Sequence, residues 1–176
     1  TSFYGGQPGF DKYEREQGSI GYQFRHDFND TVTFRQNLRY ISSTGNYLMV
    51  YPWGEHADAP LIDRYSMNLK ETMSNFAVDN QAEFHLQSGP IAHVLLAGID
   101  RMHTSVRSQA GYGDASPINY LDPDYSTPVE KPAFTSNTHS TLDQTGFYLQ
   151  DQLEWNNWIV NLAGRYDAAK TKSTDL

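Results

Sequence analysis

The sequence predicts an all-β protein, an antiparallel transmembrane β-barrel meander. Three observations carry that prediction. Period-2 alternation of apolar and polar residues recurs along most of the chain, and helical period is hard to find. The connections between alternating segments run short, long, short, long, short. In an antiparallel meander this puts every tight turn at one end and every long loop at the other, the layout of outer-membrane barrels. The segments are also long. Most exceed both the roughly 5 to 6 residues of soluble strands and the roughly 9 to 11 tilted residues that cross a bilayer.

The elements follow in order. Residues 17–28, QGSIGYQFRHDF, put Ile20, Tyr22, Phe24 and Phe28 on one face. Asn29-Asp30 then makes a tight turn. In residues 31–43, Val32, Phe34, Leu38 and Tyr40 are in phase, with Arg35, Asn37 and Arg39 opposite. Residues 44–60, TGNYLMVYPWGEHADAP, have no period and read as a loop. Residues 61–88 are extended throughout. Tyr65, Met67, Leu69 and Met73 share a parity that slips near Asn75, after which Phe76, Val78, Phe84 and Leu86 resume; a bulge at that point accounts for the slip. Ser88-Gly89-Pro90 is a turn. Residues 91–105 form the fourth strand, where Leu95, Ala97 and Ile99 oppose Gly98 and Asp100. Residues 106–140, rich in Gly, Pro, Asp and Tyr, read as a long loop.

Residues 141–154 and 158–169 close the set, joined by Trp155-Asn156-Asn157. Phe147, Leu149, Leu153 and Trp155 share one parity, opposite Tyr148, Gln150, Gln152 and Glu154. Trp158, Val160, Leu162 and Tyr166 then alternate with Asn161, Arg165 and Asp167. Trp155 and Trp158 flank the turn where an interfacial aromatic belt would sit. In a barrel, Phe24, Phe34, Leu149 and Val160 therefore face lipid, and Arg35, Gln150 and Arg165 face the lumen.

Composition bounds the function. The chain has 176 residues, about one domain. A net charge of -8 argues against nucleic acid as a partner. The absence of Cys excludes thiolate metal sites, thiol nucleophiles and disulfides. Aromatics make up 14% of the chain, and twelve of them are Tyr. No apolar run approaches the roughly 18 to 20 residues of a membrane helix. A mean hydropathy of -0.65 is compatible with strands that are only half apolar. Thr1-Ser2-Phe3 leads straight into YGGQPGF without a signal-peptide pattern, as in a mature or truncated chain. A soluble β-sandwich binding module would need turn signals every 8 to 12 residues or so, and the spacing here is wider.

Three blocks add a resemblance. IGYQFRHDFNDTVTFRQNLRY (20–40), NFAVDNQAEFHLQSGPIAHVLLAGIDRM (75–102) and QTGFYLQDQLEWNNWIVNLAGRYD (144–167) resemble TonB-dependent siderophore receptors, in the hydroxamate branch typified by the ferrichrome receptor. The resemblance implies a barrel of about 22 strands closed by an N-terminal plug. Six strands are part of such a barrel, so the whole chain reads as an internal segment, a partial β-barrel domain over 1–176 with the plug elsewhere. It further implies an outer-membrane location in a Gram-negative bacterium. The implied partners are a ferric siderophore, outer-membrane lipid and the TonB energy-coupling complex acting through the plug. Phage and bacteriocins come into view as ligands of the loops. Iron arrives as the siderophore complex, with no cofactor held by protein ligands.

Receptors of this kind line the siderophore pocket with aromatics at the loop bases, which carries over here to Tyr51, Trp53, Tyr112 and Tyr120. Aromatic side chains suit the task because they offer large, stiff surface with a polar tip. Residues 44–60 contain Glu55 and Asp58 without Lys or Arg. Residues 106–140 contain Arg107 and Lys131 against Asp114, Asp122, Asp124 and Glu130. An anionic ferric catecholate would favour clustered Arg, so these loops suit a neutral or cationic ferric hydroxamate. His85, His93 and His103 around one hairpin make a metal site conceivable, but read better as lumen or interface polar groups. A barrel enzyme is the weakest alternative. Ser88 and His93 are near in sequence, but the chain has no G-x-S-x-G nucleophile elbow. A passive porin remains the main alternative, and it lacks the family blocks.

Overall fold

The computed structural model describes residues 3–176. Six strands, β1 (Lys12–Asp27), β2 (Val32–Glu55), β3 (Leu61–Ser88), β4 (Ile91–Asn119), β5 (Ser136–Trp155) and β6 (Trp158–Asp175), form one sheet in the order of the chain. Every neighbouring pair is antiparallel. The predicted meander is therefore the observed one. The tight turns have local chemistry behind them. The Asn29 side chain accepts hydrogen bonds from the backbone N–H groups of Thr31 and Val32, both at 2.8 Å. Gly89 and Asn156 supply the left-handed backbone that two-residue hairpins need, with φ of 59° and 51°.

The strands are longer than the periodicity implies, and both expected loops shrink. β2 continues through residues 44–55, leaving only 56–60 as its connection to β3. β4 continues through 106–119 and β5 begins at Ser136, so that connection is 120–135 rather than 106–140. Both corrections have the same cause: in this half of the sheet, alternation is hidden because both faces are occupied. Residues 3–11 and the connection 120–135 fold back as a strap over one face of β2, β3 and β4. Under the strap, Val50 is 5% exposed and Ser66 fully buried, while Tyr47, Met49 and Tyr51 fill the other face. A strand with apolar side chains on both faces, one set under the strap and one in the row of rings, reads as an unbroken apolar run, here YLMVYPW, instead of an alternating one.

The glycines of β4 misled for a related reason. A Cβ on Gly111 would come within 2.0 Å of the Ala133 carbonyl, and one on Gly113 would meet Pro132 and Ser66. These are sites of close backbone approach within a strand, and not breaks in it.

The strap is held by polar side chains. The buried Arg64 guanidinium donates to the carbonyls of Ser116 (2.9 Å) and Gly6 (2.7 Å), and Asn68 donates to Pro132 (2.8 Å). Asp11 accepts from the N–H groups of Val50 and Gln7, both at 2.8 Å, and from the Tyr4 hydroxyl at 2.6 Å.

The slip near Asn75 is not a bulge. Pairing of β3 with β2 and β4 runs unbroken past it. The register shifts lie elsewhere, between Pro52 and Gly54 and between Ile62 and Arg64. What changes at Asn75 is the face on which apolar residues sit. Toward the tight turns, the face carrying Phe24, Phe34, Val78, Ile99, Leu149 and Val160 is apolar, as the register shows. We call this the outer face, since the apolar side of such a sheet is the one a bilayer meets.

The inner face of the same half is polar and internally bonded. Arg35 pairs with Glu83 at 2.7 Å, Tyr148 donates to Asp79 at 2.6 Å, and Arg165 pairs with Asp100 at 2.6 Å. The few polar groups on the outer face are paired with one another, as burial in an apolar setting requires: His93 with Asp151 at 2.9 Å and Gln36 with Asn80 at 2.5 Å. β1 and β6 are exposed along their whole length.

Candidate functional site

The inner face of the far half, between the apolar band and the 56–60 and 120–135 connections, is an aromatic and thioether wall. Register builds it row by row. Tyr13, Tyr47, Leu69 and Ala110 are partners across β1 to β4; Met49, Met67 and Tyr112 form the next row; Tyr51, Tyr65 and Asp114 form the one above. Neighbouring strands lie about 4.8 Å apart, so residues in a row touch.

The rings meet edge-on. Tyr13 and Tyr47 have centroids 4.8 Å apart, Tyr51 and Tyr65 6.3 Å, and Trp53 leans over Tyr65 at 5.3 Å. The Tyr51 hydroxyl reaches the Met67 sulfur at 2.9 Å. Burial, reinforced by the Tyr112 phenol, pushes Tyr51 above the ordinary tyrosine range. The hydrogen bond with Tyr13 does the same for Tyr47. Trp53 (75% exposed) and Tyr112 (62%) nevertheless present most of their surface outward. Stiff rings with open faces next to adaptable Met side chains make a surface able to take a bulky, partly apolar ligand.

Three of the four residues singled out in the sequence, Tyr51, Trp53 and Tyr112, are brought together on this wall. Tyr120 is not part of it. It lies just past β4, its backbone N–H bonds the Pro60 carbonyl at 3.1 Å, and its hydroxyl meets the Glu55 carboxylate, which raises the phenol pKa. It closes the end of the β2–β3 hairpin. Tyr13, Tyr65, Met49 and Met67 were missed as wall residues. The signal was the i, i+2 spacing of Tyr47, Met49, Tyr51 and Trp53, obscured by the apolar residues between them.

Charge on the wall is sparse: among the rings it is negative, and Arg15 stands one row below Tyr13 and Tyr47 on the same face. Asp114 stands beside Tyr65, and Asp63 is paired with His56 at 2.8 Å. Arg107 has Thr72 as its partner, on the outer face, and Lys131 belongs to the strap on that side. The cations of the two expected loops are thus turned away from the rings. The histidines do not converge either. His85 lies on the inner face beside Glu83, while His93 and His103 lie on the outer face beside Asp151 and Asp143. Among the described residues there is no group of three or more metal-ligating side chains.

Comparison with known proteins gives a consistent picture. The profile described as TonB dependent receptor-like, beta-barrel matches residues 1–176. The ferrioxamine B receptor of Salmonella typhimurium is 35% identical over 175 residues, covering 99% of this chain and 25% of that protein. The ferrichrome outer membrane transporter/phage receptor of Escherichia coli K12 is 34% identical, covering 92% of this chain and 25% of that protein. The chain thus spans about a quarter of the length of the curated relatives it matches. Among solved structures, the ferric-catecholate import receptor Fiu from E. coli K12, in its open form, superposes with a TM-score of 0.84 at 18% identity, covering 96% of this chain and 28% of that one. At that identity the likeness concerns the fold.

Proposed function

This chain belongs to the TonB-dependent receptor-like β-barrel family, whose members are receptors and transporters and not enzymes, and from that premise we propose that it forms part of the wall of an outer-membrane receptor that binds a ferric siderophore, a hydroxamate, and imports it by energy-coupled transport. The observation that carries the ligand reading is the aromatic and Met wall of Tyr47, Tyr51, Trp53, Tyr65, Tyr112 and Met67, with Arg107 and Lys131 turned to the opposite face and Arg15, at the lower edge of the wall, engaged by Ser43 and Gln17. An anionic catecholate complex calls for Arg and Lys at the contact, and this surface offers rings, sulfur and a carboxylate. The names of the relatives, ferrioxamine and ferrichrome receptors, point the same way.

The rest of the reading follows from geometry and family. The apolar outer face meets outer-membrane lipid of a Gram-negative bacterium. The exposed edges of β1 and β6 are completed by further strands of a closed barrel, since unpaired edges of that length promote aggregation. The polar inner face of the near half surrounds a plug that moves when TonB draws on inner-membrane energy. The 56–60 and 120–135 connections lie outside the cell, where phage or bacteriocins could reach them.

The test is equilibrium binding to the full-length receptor. A ferric hydroxamate should bind more tightly than a ferric catecholate. Tyr51→Ala, Trp53→Ala and Tyr112→Ala should each weaken the hydroxamate by about ten- to thirtyfold, the equivalent of about 1 to 2 kcal/mol for a partly exposed pocket wall. Tyr120→Ala should lose less, because that side chain holds the hairpin. A preference for the catecholate overturns the ligand class. Passive passage of small solutes through liposomes, with no siderophore binding, would replace the receptor reading with a porin.

A further inference from the structure

Two glycines on the inner face of the near half let long side chains lie along the wall. Tyr148 on β5 has Gly98 on β4 as its register partner, and its ring crosses that glycine to reach Asp79 on β3, to which the hydroxyl donates at 2.6 Å. Arg165 on β6 repeats the move. It crosses Gly146 on β5 and donates to both carboxylate oxygens of Asp100 on β4, at 2.6 and 3.1 Å. A Cβ on Gly98 would overlap the Tyr148 ring, and one on Gly146 the Arg165 guanidinium. The guanidinium also lies 5.6 Å from the centre of the Tyr148 ring and donates to Asp167. The two side chains thus tile four strands, each spanning two inter-strand gaps of about 4.8 Å, instead of standing into the lumen. They border an open recess of about 680 Å³, with Gln81 and Gln150 along its edge.

The tiles are also chemically closed. Asp79, Glu83, Asp100, Arg165 and Asp167 are each engaged by a neighbour on the same wall. A group already paired offers a passing molecule little to hold, and passage needs contacts weak enough to leave. β2 carries the opposite case. Arg39, exposed on the same face between Gly21 and Ala77, takes part in no side-chain hydrogen bond or ion pair among the described residues. Such a free group is what a resting plug can hold. We propose that the inner face of β4 to β6, kept low by Gly98 and Gly146, is the wall along which the ferric siderophore passes once the plug has moved, and that the two glycines are positioning residues for passage with no part in binding. The inference rests on the siderophore reading above and adds to it a route through the barrel.

The test is binding and uptake of radioiron-loaded ferrioxamine B, the ligand in the name of one relative, by cells carrying the full-length receptor. Gly98→Ala and Gly146→Ala should assemble, because each new methyl strikes the far end of a side chain and no backbone atom. The displaced Tyr148 ring or Arg165 guanidinium then stands in the lumen. Each variant should slow maximal uptake by about fivefold at an unchanged dissociation constant, the mark of a step after binding. Removing the displaced side chain should clear the path again: Gly98→Ala with Tyr148→Ala, and Gly146→Ala with Arg165→Ala, should regain most of the native rate. Gly164→Ala, where a Cβ meets nothing within 4 Å, should match the native receptor throughout. Should Gly98→Ala fail to reach the outer membrane, Asp79→Ala frees the same ring without a clash and should show the same slow uptake. Native uptake rates in these variants, a dissociation constant that weakens in step with uptake, or no rescue by the second substitution overturns the inference and leaves the siderophore reading standing. A native receptor that binds neither ferrioxamine B nor ferrichrome overturns both.

Discussion

The two halves of β3 obey opposite rules. Between Tyr65 and Met73 the apolar residues point to the inner face; between Phe76 and Leu86 they point to the outer one, with no break in pairing between them. β2 does the same, with Phe34, Leu38 and Tyr40 outward and Tyr47, Met49 and Tyr51 inward. The difference lies in what each half meets. In the near half the apolar residues are on the outer face, the side proposed to meet lipid, and the inner face is free to carry Arg35, Asp79, Asp100 and Arg165. In the far half the outer face is sealed by the chain's own strap, and the inner face carries the rings. A change of apolar parity inside a long strand therefore marks a change in what its two faces meet, without any register shift.

The largest effect expected from this contrast is in the near half. Leu149 is on the outer face, beside Ala97 and Gly164, and Gln150 on the inner one. Leu149→Arg should cost about 2 to 4 kcal/mol, the penalty for Arg at the middle of the lipid face, and Gln150→Arg should cost little. Reversible unfolding of the intact receptor from lipid vesicles measures both. Equal losses would mean that the faces are assigned wrongly.

A smaller effect separates the strap from the bare face. Gly111→Val places a Cβ within 2.0 Å of the Ala133 carbonyl, a backbone atom that must move, whereas Gly164→Val meets nothing within 4 Å. Overpacking of this kind costs about 1 to 3 kcal/mol. Here it should appear as faster protease cutting within 120–135 while the barrel stays folded. Gly164→Val should leave both unchanged. If the two variants behave alike, the strap is not seated on β4.

This contrast also explains what was legible in the sequence. The near half could be read almost residue by residue, because a lipid face and a wet face force strict alternation, and because Asn29, Gly89 and Asn156 announce the turns. The four-strand core of that reading, from Phe34 and Arg35 to Leu149 and Gln150, matches the observed pairing. The far half was hidden by its own packing. Val50 lies under the strap and Pro52 stands beside Gly5, so the alternation of Tyr47, Met49, Tyr51 and Trp53 dissolved into an apolar run. Gly111 and Gly113 imitated a loop because the strap passes directly over them. Tyr47, Met49, Tyr51, Trp53 and Tyr112 were therefore assigned to loops although they stand on strands. Tyr65 and Met67 were read on one face of a strand, but not as wall residues, because their partners Tyr51 and Met49 were assigned to a loop.

The smallest effect concerns the hold of residues 3–11 on the sheet. The Tyr4 hydroxyl donates to Asp11 at 2.6 Å, and that bond to a carboxylate holds the phenol pKa above its ordinary value near 10, with burial and the Asp11 charge acting in the same direction. The neutral phenol is the form the fold favours. Its contribution is therefore complete below the unfolded-state pKa and is lost as pH rises through the higher folded value. Subtilisin cutting within 3–11 should stay slow up to about pH 10 and quicken above it. Tyr4→Phe should cut slightly faster at pH 8, reflecting the loss of one half-exposed hydrogen bond worth about 0.5 kcal/mol, and its alkaline step should be reduced. Asp11→Asn should do more, because Asp11 also holds the backbone of Val50 and Gln7. An alkaline step of equal size in native protein and Tyr4→Phe would place the pH-sensitive contact elsewhere in the strap, with Tyr125, which shares hydrogen bonds with the Tyr4 backbone, as the next group to test.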